Sequence, residues 1–188
     1  MNAESSSKMF ELLKESKSDW RGSLHKINLE VSESVIRQAI VSRSPKKGTR
    51  RGLHQALGDS SEHKKIICIS GTMLWISIAP ISANSAKVFT YKISAFDDKC
   101  LCLDRGLVHG CIALSDNAEL LILSDREYNH CNSLYYDMTD LLICLKEQIK
   151  DLPPEPYIQQ EHASTSKYFN SESPALELPW ANLQFIHQ

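Results

Sequence analysis

The sequence lacks the features that mark several large classes of protein. Its longest apolar runs are about six to eight residues, well short of the roughly 20 that a membrane-spanning helix needs. Neither sign of charge is in excess, because Lys and Arg total 21 and Asp and Glu total 23. The stretch Met1–Lys17 is polar and contains no hydrophobic export segment. We therefore expect a protein that neither enters a membrane nor binds nucleic acid through a basic face.

The six cysteines include no pair with C-x-x-C spacing. Most of them lie inside apolar runs, as Cys68 does in Lys65–Ile69. A cysteine in such surroundings packs as a small hydrophobic side chain, and free thiols are typical of a reducing compartment. We therefore predict free, packed thiols and a cytoplasmic location.

Short apolar segments dominate the middle of the chain. They are rich in β-branched and aromatic residues and lie at Ile66–Ile69, Met73–Ala79, Val88–Ile93, Cys100–Leu103, Cys111–Leu114 and Glu119–Leu123. Short segments separated by polar turns are typical of an antiparallel sandwich or barrel, not of alternating βαβ units. Within Met138–Leu152, by contrast, apolar residues recur every three or four positions, which predicts an amphipathic helix that ends before Pro153.

The length of 188 residues corresponds to one domain with tails. We predict a mobile N-terminal arm over residues 1–18, an all-β domain over 19–152 and an extended C-terminal tail over 153–188. The tail contains two apolar pairs, Pro179-Trp180 and Phe185-Ile186. We expect these pairs to attach the tail to the body of the protein or to a neighbouring subunit.

Two segments combine glycine, basic residues and histidine beside predicted strands. The first is Lys46–His54, followed ten residues later by Lys64, and the second is Asp104–Gly110. Glycine allows a ligand close to the backbone, Arg and Lys bind phosphate or carbonyl oxygens, and histidine transfers protons near neutral pH. These residue types alone leave open whether the segments form a site or carry two ordinary loop histidines.

The order and spacing of these segments resemble one family, the dTDP-4-keto-6-deoxyglucose 3,5-epimerases, also called dTDP-4-dehydrorhamnose 3,5-epimerases. The resemblance rests on Asp19–Gly22, the run Ser42–His54 that ends R-G-L-H, Lys64–Gly71, Ile93–Ala95, Gly106–Gly110, Leu114-Ser115, Ala118–Leu120 and Ser124–Tyr128. It implies an all-β, cupin-like jelly roll (a double-stranded β-helix) that forms a homodimer and uses no cofactor or metal. It also implies epimerisation of the carbons that flank the ketone of a nucleotide-linked sugar.

By match of position, the resemblance also implies roles for individual residues. The reaction needs a base that removes a proton next to the ketone, a cation near the oxygen, and an acid on the opposite face. His54 corresponds to the base and Lys64 to the enolate stabiliser. The residues that correspond to substrate-binding positions are Arg51 for the diphosphate or sugar, His109 in the pocket wall, Tyr128 stacked on the nucleotide base, and Arg21 and Gln38 at the nucleotide.

The chain departs from the family at its acid and at two carboxylates. The family's acid is a tyrosine thirteen residues after the pocket histidine, and that position is Ile122 here. No L-S-x-K-D segment supplies the aspartate partner of the base; the nearest stretch offers only Glu161 or His162. A second family aspartate falls near Ala79. Replacement proton donors available in the sequence are Tyr135, Tyr136 and Cys131.

Three functions therefore stay open. The first is an epimerase, acting at one or both centres in polysaccharide or deoxysugar biosynthesis. The second is a catalytically degenerate member that binds a nucleotide sugar or pairs with an active homologue. The third is a metal-dependent cupin that uses His54, His109 and either His63 or Glu62. The enzyme is favoured because a basic set such as Arg51, His54 and Lys64 would cost stability in a pocket that binds no ligand.

Overall fold

The computed structural model of the chain describes residues 10–12, 16–19, 22–25, 35–97, 99–127, 132–149, 152 and 177–187. These residues form strands β1 (Phe10–Leu12), β2 (Ser16–Asp19), β3 (Gly22–His25), β4 (Gln38–Ser44), β5 (Arg50–Ala56), β6 (Lys64–Ser70), β7 (Thr72–Ser82), β8 (Ser85–Ser94), β9 (Lys99–Leu103), β10 (Val108–Ala113), β11 (Ala118–Ser124), β12 (Ser133–Tyr135) and β13 (Asn182–His187). The α-helix α1 spans Thr139–Gln148.

The strands form two large sheets, which confirms the predicted all-β fold. One sheet has the order β1-β9-β6-β11-β4 and the other the order β12-β5-β10-β7-β8-β13, while β2 and β3 form a two-stranded sheet. Neighbouring strands in both large sheets are antiparallel, with the exception of β13, which runs parallel to β8. The sheet order links strands distant in sequence, such as β4 with β11, as in a jelly roll.

The six-stranded sheet is covered on both faces. Its inner face packs on the five-stranded sheet through a core that includes Trp75, Tyr91 and Cys111 on one side and Ile66 and Leu120 on the other. Its outer face packs against α1 and the segment before it. This second core, the outer core, has at its centre Leu53, Ile76, Val108, Ile112, Met138, Leu141 and Leu145. A strand buried on both faces reads as a continuous apolar run, which explains the sequences of β7 and β10 at the centre of this sheet.

The predicted elements of the middle of the chain are confirmed. Each of the six apolar segments falls on an observed strand, although Leu114 lies one residue beyond β10. The helix predicted over Met138–Leu152 is present but ends at Gln148, because Ile149 already has extended backbone angles. No helix among the described residues is long and apolar enough to cross a membrane.

The two ends of the chain contain strands that add to the sheets. Within the segment predicted as an arm, β1 pairs with β9 at the edge of the five-stranded sheet. Within the predicted tail, β13 pairs with β8 at the edge of the six-stranded sheet, and Trp180 and Phe185 pack against its outer core. The tail thus attaches to the body of its own chain. The division into arm, domain and tail stays a prediction.

Candidate active site

Three of the predicted site residues meet between the two large sheets. His54 on β5 and His109 on β10 are direct cross-strand partners in the six-stranded sheet. Their rings lie edge to face, with centroids 4.0 Å apart. Lys64 reaches them from β6 in the facing sheet, and its Nζ lies 3.0 Å from Nε2 of His109 and 3.4 Å from Nε2 of His54. The structure therefore brings both candidate catalytic residues to one place.

Two glycines allow the close approach of the strands that carry the histidines. Gly52 has φ +86°, and a Cβ built on it would lie 2.7 Å from the carbonyl oxygen of His109. A Cβ on Gly110 would lie 2.6 Å from the carbonyl oxygen of Arg51. Both glycines adjoin the R-G-L-H and G-L-V-H-G motifs, so these motifs encode the contact of β5 with β10 as well as its histidines.

A buried carboxylate completes the cluster. Oε1 of Glu62 lies 2.7 Å from Nζ of Lys64, and the side chains of Glu62 and Lys64 are only 4% and 6% exposed. Ser124, on β11 beside β6, donates a hydrogen bond from Oγ to the other carboxylate oxygen. From the sequence alone, Glu62 is a candidate only as a metal ligand. The signal was its place two residues before Lys64, since residues i and i+2 of an extended chain point to the same side.

The charges of the cluster follow from its burial. The ammonium group has only donors, so Nε2 of each imidazole accepts from it, and Nδ1 of His109 donates to the carbonyl oxygen of Leu107 at 2.9 Å. Burial and the nearby Lys64 lower the pKa of His54 to about 3. Burial, His54 and Lys64 likewise lower the pKa of His109. Both imidazoles are therefore neutral at pH 7 and able to accept a proton.

Lys64 experiences two opposing effects. Burial lowers the pKa of its ammonium group, because a charge away from water is disfavoured. The adjacent carboxylate of Glu62 acts in the opposite direction and raises the same pKa. The carboxylate therefore favours the charged form of Lys64 in a place where burial disfavours it.

Aromatic rings enclose the two histidines. Trp75 stacks on His109 with centroids 5.6 Å apart, and its indole Nε1 donates to Oγ of Ser77 at 3.0 Å. Tyr135 on β12 stacks beside His54 with centroids 6.3 Å apart. Tyr136 instead donates from its hydroxyl to Oε1 of Gln55 and packs in the outer core. Of the replacement donors, Tyr135 thus lies beside His54, Tyr136 does not, and Cys131 lies outside the described residues.

The predicted substrate-binding residues are only partly described. Arg51 precedes His54 on β5, and its guanidinium donates to Oγ of Ser44 at 3.3 Å and to the carbonyl oxygen of Arg43. Gln38 begins β4 directly opposite Ser124, on the side of the sheet that faces the cluster. Arg21 and Tyr128 lie outside the described residues. The roles assigned to all site residues stay predictions.

The departures from the family also have defined places. Ile122 lies on β11 opposite Ile66 of β6 and packs against the core between the sheets. It faces the same side of the sheet as Ser124, two residues further on, and therefore the side that holds the cluster. Ala79 does not adjoin His109, whose partner on β7 is Ser77. A backbone carbonyl, that of Leu107, thus orients His109 in place of a carboxylate.

The residues proposed as metal ligands in the metal-dependent alternative surround the ammonium group of Lys64. Among the residues that the structure describes, no set of three His, Cys, Asp or Glu side chains is placed to hold a metal ion. Nζ of Lys64 lies in hydrogen-bonding contact with both imidazoles and Glu62, where a metal shared by these side chains would lie. A charged ammonium and a metal cation repel each other at such distances.

The arrangement suits the removal of a proton beside a ketone. A neutral imidazole accepts the proton, and an ammonium group next to it stabilises the negative oxygen that forms. The hydrogen to be removed and the carbonyl oxygen lie on neighbouring carbons, so base and cation must also be neighbours. His54 and Lys64, with 3.4 Å between their nitrogens, satisfy this requirement.

Comparison with known proteins points to one family. The family model for dTDP-4-dehydrorhamnose 3,5-epimerase matches residues 14–153. The dTDP-4-dehydrorhamnose 3,5-epimerases of two Mycobacterium tuberculosis strains, CDC 1551 / Oshkosh and ATCC 25618 / H37Rv, are 32% identical over 85 residues. That match covers 44% of this chain and only 42% of each relative.

Solved structures share the fold at low sequence identity. A Legionella pneumophila dTDP-6-deoxy-D-glucose-3,5-epimerase in complex with dTDP-4-keto-L-rhamnose has a TM-score of 0.63 at 18% identity, over 77% of this chain and 78% of that one. A Bacillus anthracis dTDP-4-dehydrorhamnose 3,5-epimerase has a TM-score of 0.61 at 18% identity, over 90% and 94%. A Streptomyces bikiniensis 3'-monoepimerase in complex with dTDP-quinovose has a TM-score of 0.58 at 20% identity, over 68% and 69%. With its family match over residues 14–153, the chain belongs to the dTDP-4-dehydrorhamnose 3,5-epimerase family.

Proposed function

We propose that the protein epimerises a nucleotide-linked 4-keto-6-deoxy sugar of the dTDP-4-keto-6-deoxyglucose class. The observation that carries this proposal is the neutral imidazole of His54 beside the ammonium group of Lys64, in a cluster where Trp75 stacks on His109. In the proposed reaction, His54 removes a proton from a carbon next to the ketone and Lys64 stabilises the enolate. The rest of the substrate is bound by Arg51, His109, Gln38, Arg21 and Tyr128.

The return of the proton differs from that in the family. Ile122 cannot donate a proton, and the described strands of the five-stranded sheet contain no tyrosine. Tyr135 lies on the same sheet as His54 and so on the same wall as the base. We therefore propose that water returns the proton on the opposite face, at one centre of the sugar, which makes inversion slower than proton removal.

Proton removal can be measured directly. Protein and dTDP-4-keto-6-deoxyglucose are mixed in heavy water, and the loss of the C3 and C5 proton signals is followed by NMR. Wild type is expected to exchange at least one of these protons, and His54→Ala is expected to lose that exchange. The matched control is His63→Ala, which removes a histidine that faces Asp104 outside the cluster. Exchange that persists in His54→Ala would rule out His54 as the base.

A second candidate function is binding of a nucleotide sugar without turnover, alone or beside an active homologue. Ile122 on the wall of the site favours it, because the position of the family's acid holds no proton donor. Saturable binding of the dTDP sugar by calorimetry, with no exchange of C3 or C5 protons, would establish this function in place of the enzyme. If neither binding nor exchange is detected, the fold stands but both proposed functions toward this sugar are wrong.

We also infer a homodimer in the cytoplasm that serves polysaccharide or deoxysugar synthesis. The family resemblance supports the dimer, in which Arg21 and Gln38 reach a nucleotide across the subunits. The thiols of Cys68 and Cys111, buried and not joined in a disulfide, support a reducing compartment. Sedimentation analysis tests the dimer, since a monomer at micromolar concentration would contradict it.

A further inference from the structure

We propose that Glu62 is a positioning residue of this site, which keeps Lys64 charged and aims its ammonium group at the two imidazoles. The catalytic meaning of this inference rests on the proposed function, whereas the ion pair itself rests on geometry alone. Lys64 has three N–H donors, and the structure gives each of them one acceptor: Glu62, His109 and His54. The shortest of these contacts, at 2.7 Å, is that with Glu62.

The carboxylate is held from both sides. Ser124 donates to the oxygen of Glu62 that does not contact Lys64, so both oxygens of the carboxylate have partners. Glu62 lies two residues before Lys64, which begins β6, and Ser124 is the cross-strand partner of Lys64 on β11. The pair therefore has one defined geometry in place of the many that an exposed pair samples.

The backbone around Glu62 is fixed as well. Arg105 donates to the carbonyl oxygen of Ser61 and to the carboxylate of Asp125. The backbone N–H of His63 donates to the other oxygen of Asp125 at 2.9 Å, and the hydroxyl of Ser61 donates to the carbonyl oxygen of Ala56 at 2.8 Å. Hydrogen bonds thus fix the backbone of both neighbours of Glu62, and this backbone directs the side chain of Glu62 into the cluster.

The charges around Lys64 make Glu62 necessary. Among the residues that the structure describes, the titratable groups that face its Nζ are Glu62 on the preceding loop, His54 on β5 and His109 on β10. Asp125 lies close by on the chain after β11 but pairs with Arg105. Without Glu62, burial would favour the neutral amine, and a neutral amine cannot offset the charge of an enolate oxygen. The anion that keeps Lys64 charged is therefore Glu62.

The titration of Lys64 tests the inference without any substrate. Full-length protein is labelled with 13C at the lysine ε carbons, and the Lys64 signal is assigned by its loss in Lys64→Arg. We expect Glu62→Gln to lower the titration midpoint of Lys64 by about one to three pH units, the range found for a close opposite charge. Glu62→Asp, which keeps a charge at greater distance, should give a smaller shift in the same direction. Glu119→Gln, which removes a carboxylate paired with exposed Arg43, is the control and should leave the midpoint unchanged.

The exchange reaction gives a second readout. Since Lys64 acts on the enolate and not on the bound ketone, Glu62→Gln should lower kcat more than tenfold with little change in KM. The alkaline limb of its pH profile should move to lower pH by the amount that the midpoint moves. An unchanged Lys64 midpoint in both Glu62 variants would overturn the inference. A shifted midpoint in a protein that exchanges no sugar proton would overturn only the proposed function.

Discussion

The side chain at position 122 decides whether a protein residue or water returns the proton to the sugar in the proposed reaction. Ile122 faces the cluster from β11, at the position where the family has its acid tyrosine. We expect Ile122→Tyr to raise the ratio of inversion to solvent exchange, because a phenol on this wall returns a proton to the face opposite His54. Ile122→Phe adds a ring of nearly the same size without the hydroxyl and should leave that ratio as in wild type.

The measurement is the same NMR experiment in heavy water, read for two quantities. Loss of the sugar proton reports removal by His54, and appearance of the epimer reports return from the other face. A larger ring costs stability, typically about 1–3 kcal/mol in a packed core, so both variants are first checked for a native fold. Equal ratios in Ile122→Tyr and Ile122→Phe would contradict the idea that a missing acid limits inversion.

At the scale of elements, β13 stabilises the edge of the six-stranded sheet. It covers the edge of β8 that would otherwise expose unpaired N–H and C=O groups, and its alternate residues Leu183 and Phe185 pack against the outer core. We expect Phe185→Ala to lower the free energy of unfolding by about 1–2 kcal/mol, less than the cost at a fully buried site because Phe185 is half-buried. Gln184→Ala, on the exposed side of the same strand, is the control.

Urea unfolding measures this cost, and sedimentation reports what happens to the uncovered edge. A loosened β13 leaves β8 free to pair with another chain, so Phe185→Ala should also increase self-association. If Phe185→Ala and Gln184→Ala unfold at the same urea concentration, β13 contributes nothing to the stability of the sheet.

The elements that the sequence predicts well are those that are buried on both faces. Strands β7 and β10 are mostly apolar because one face packs on the other sheet and the opposite face packs in the outer core with α1, whereas β8 also carries the exposed Lys87 and Lys92. Strand β5 could not be predicted from periodicity, because Arg50–Ala56 carries charged and polar residues for the site. The charged and polar residues of the site obscure the apolar pattern of β5, but the same residues form the R-G-L-H motif by which the segment resembles the family.

The site was predictable to a similar extent. His54, Lys64 and His109 follow from the resemblance, and the structure brings them together. Glu62 has a local signal, its place two residues before Lys64, but Ser124 could not be predicted as its partner, since that contact depends on the pairing of β6 with β11. Tyr135 likewise adjoins His54 only because β12 pairs with β5. Tertiary pairing, which one sequence does not specify locally, decides these contacts.

At the scale of the whole molecule, the buried histidines tie folding stability to pH. In the unfolded chain an imidazole takes up a proton near pH 6.5, whereas burial keeps His109 and His54 neutral in the fold well below that pH. The unfolded state then binds more protons than the native state, so stability falls as pH falls through 6.5 and continues to fall toward about 3, where His54 titrates in the fold.

Urea unfolding at about pH 7.5 and about pH 5.5 measures this linkage, because the native imidazoles stay neutral at both values. We expect a loss of about 1.4 kcal/mol for His109 between them, and at most the same for His54, which is partly exposed. His109→Gln should remove its share of the pH dependence. Trp75→Phe, which disturbs the ring stacked on His109 but adds or removes no titrating group, should lower stability equally at both pH values. Equal stability of wild type at both values would mean that the two imidazoles take up protons within the native fold, and that His54 is not the neutral base required for proton removal.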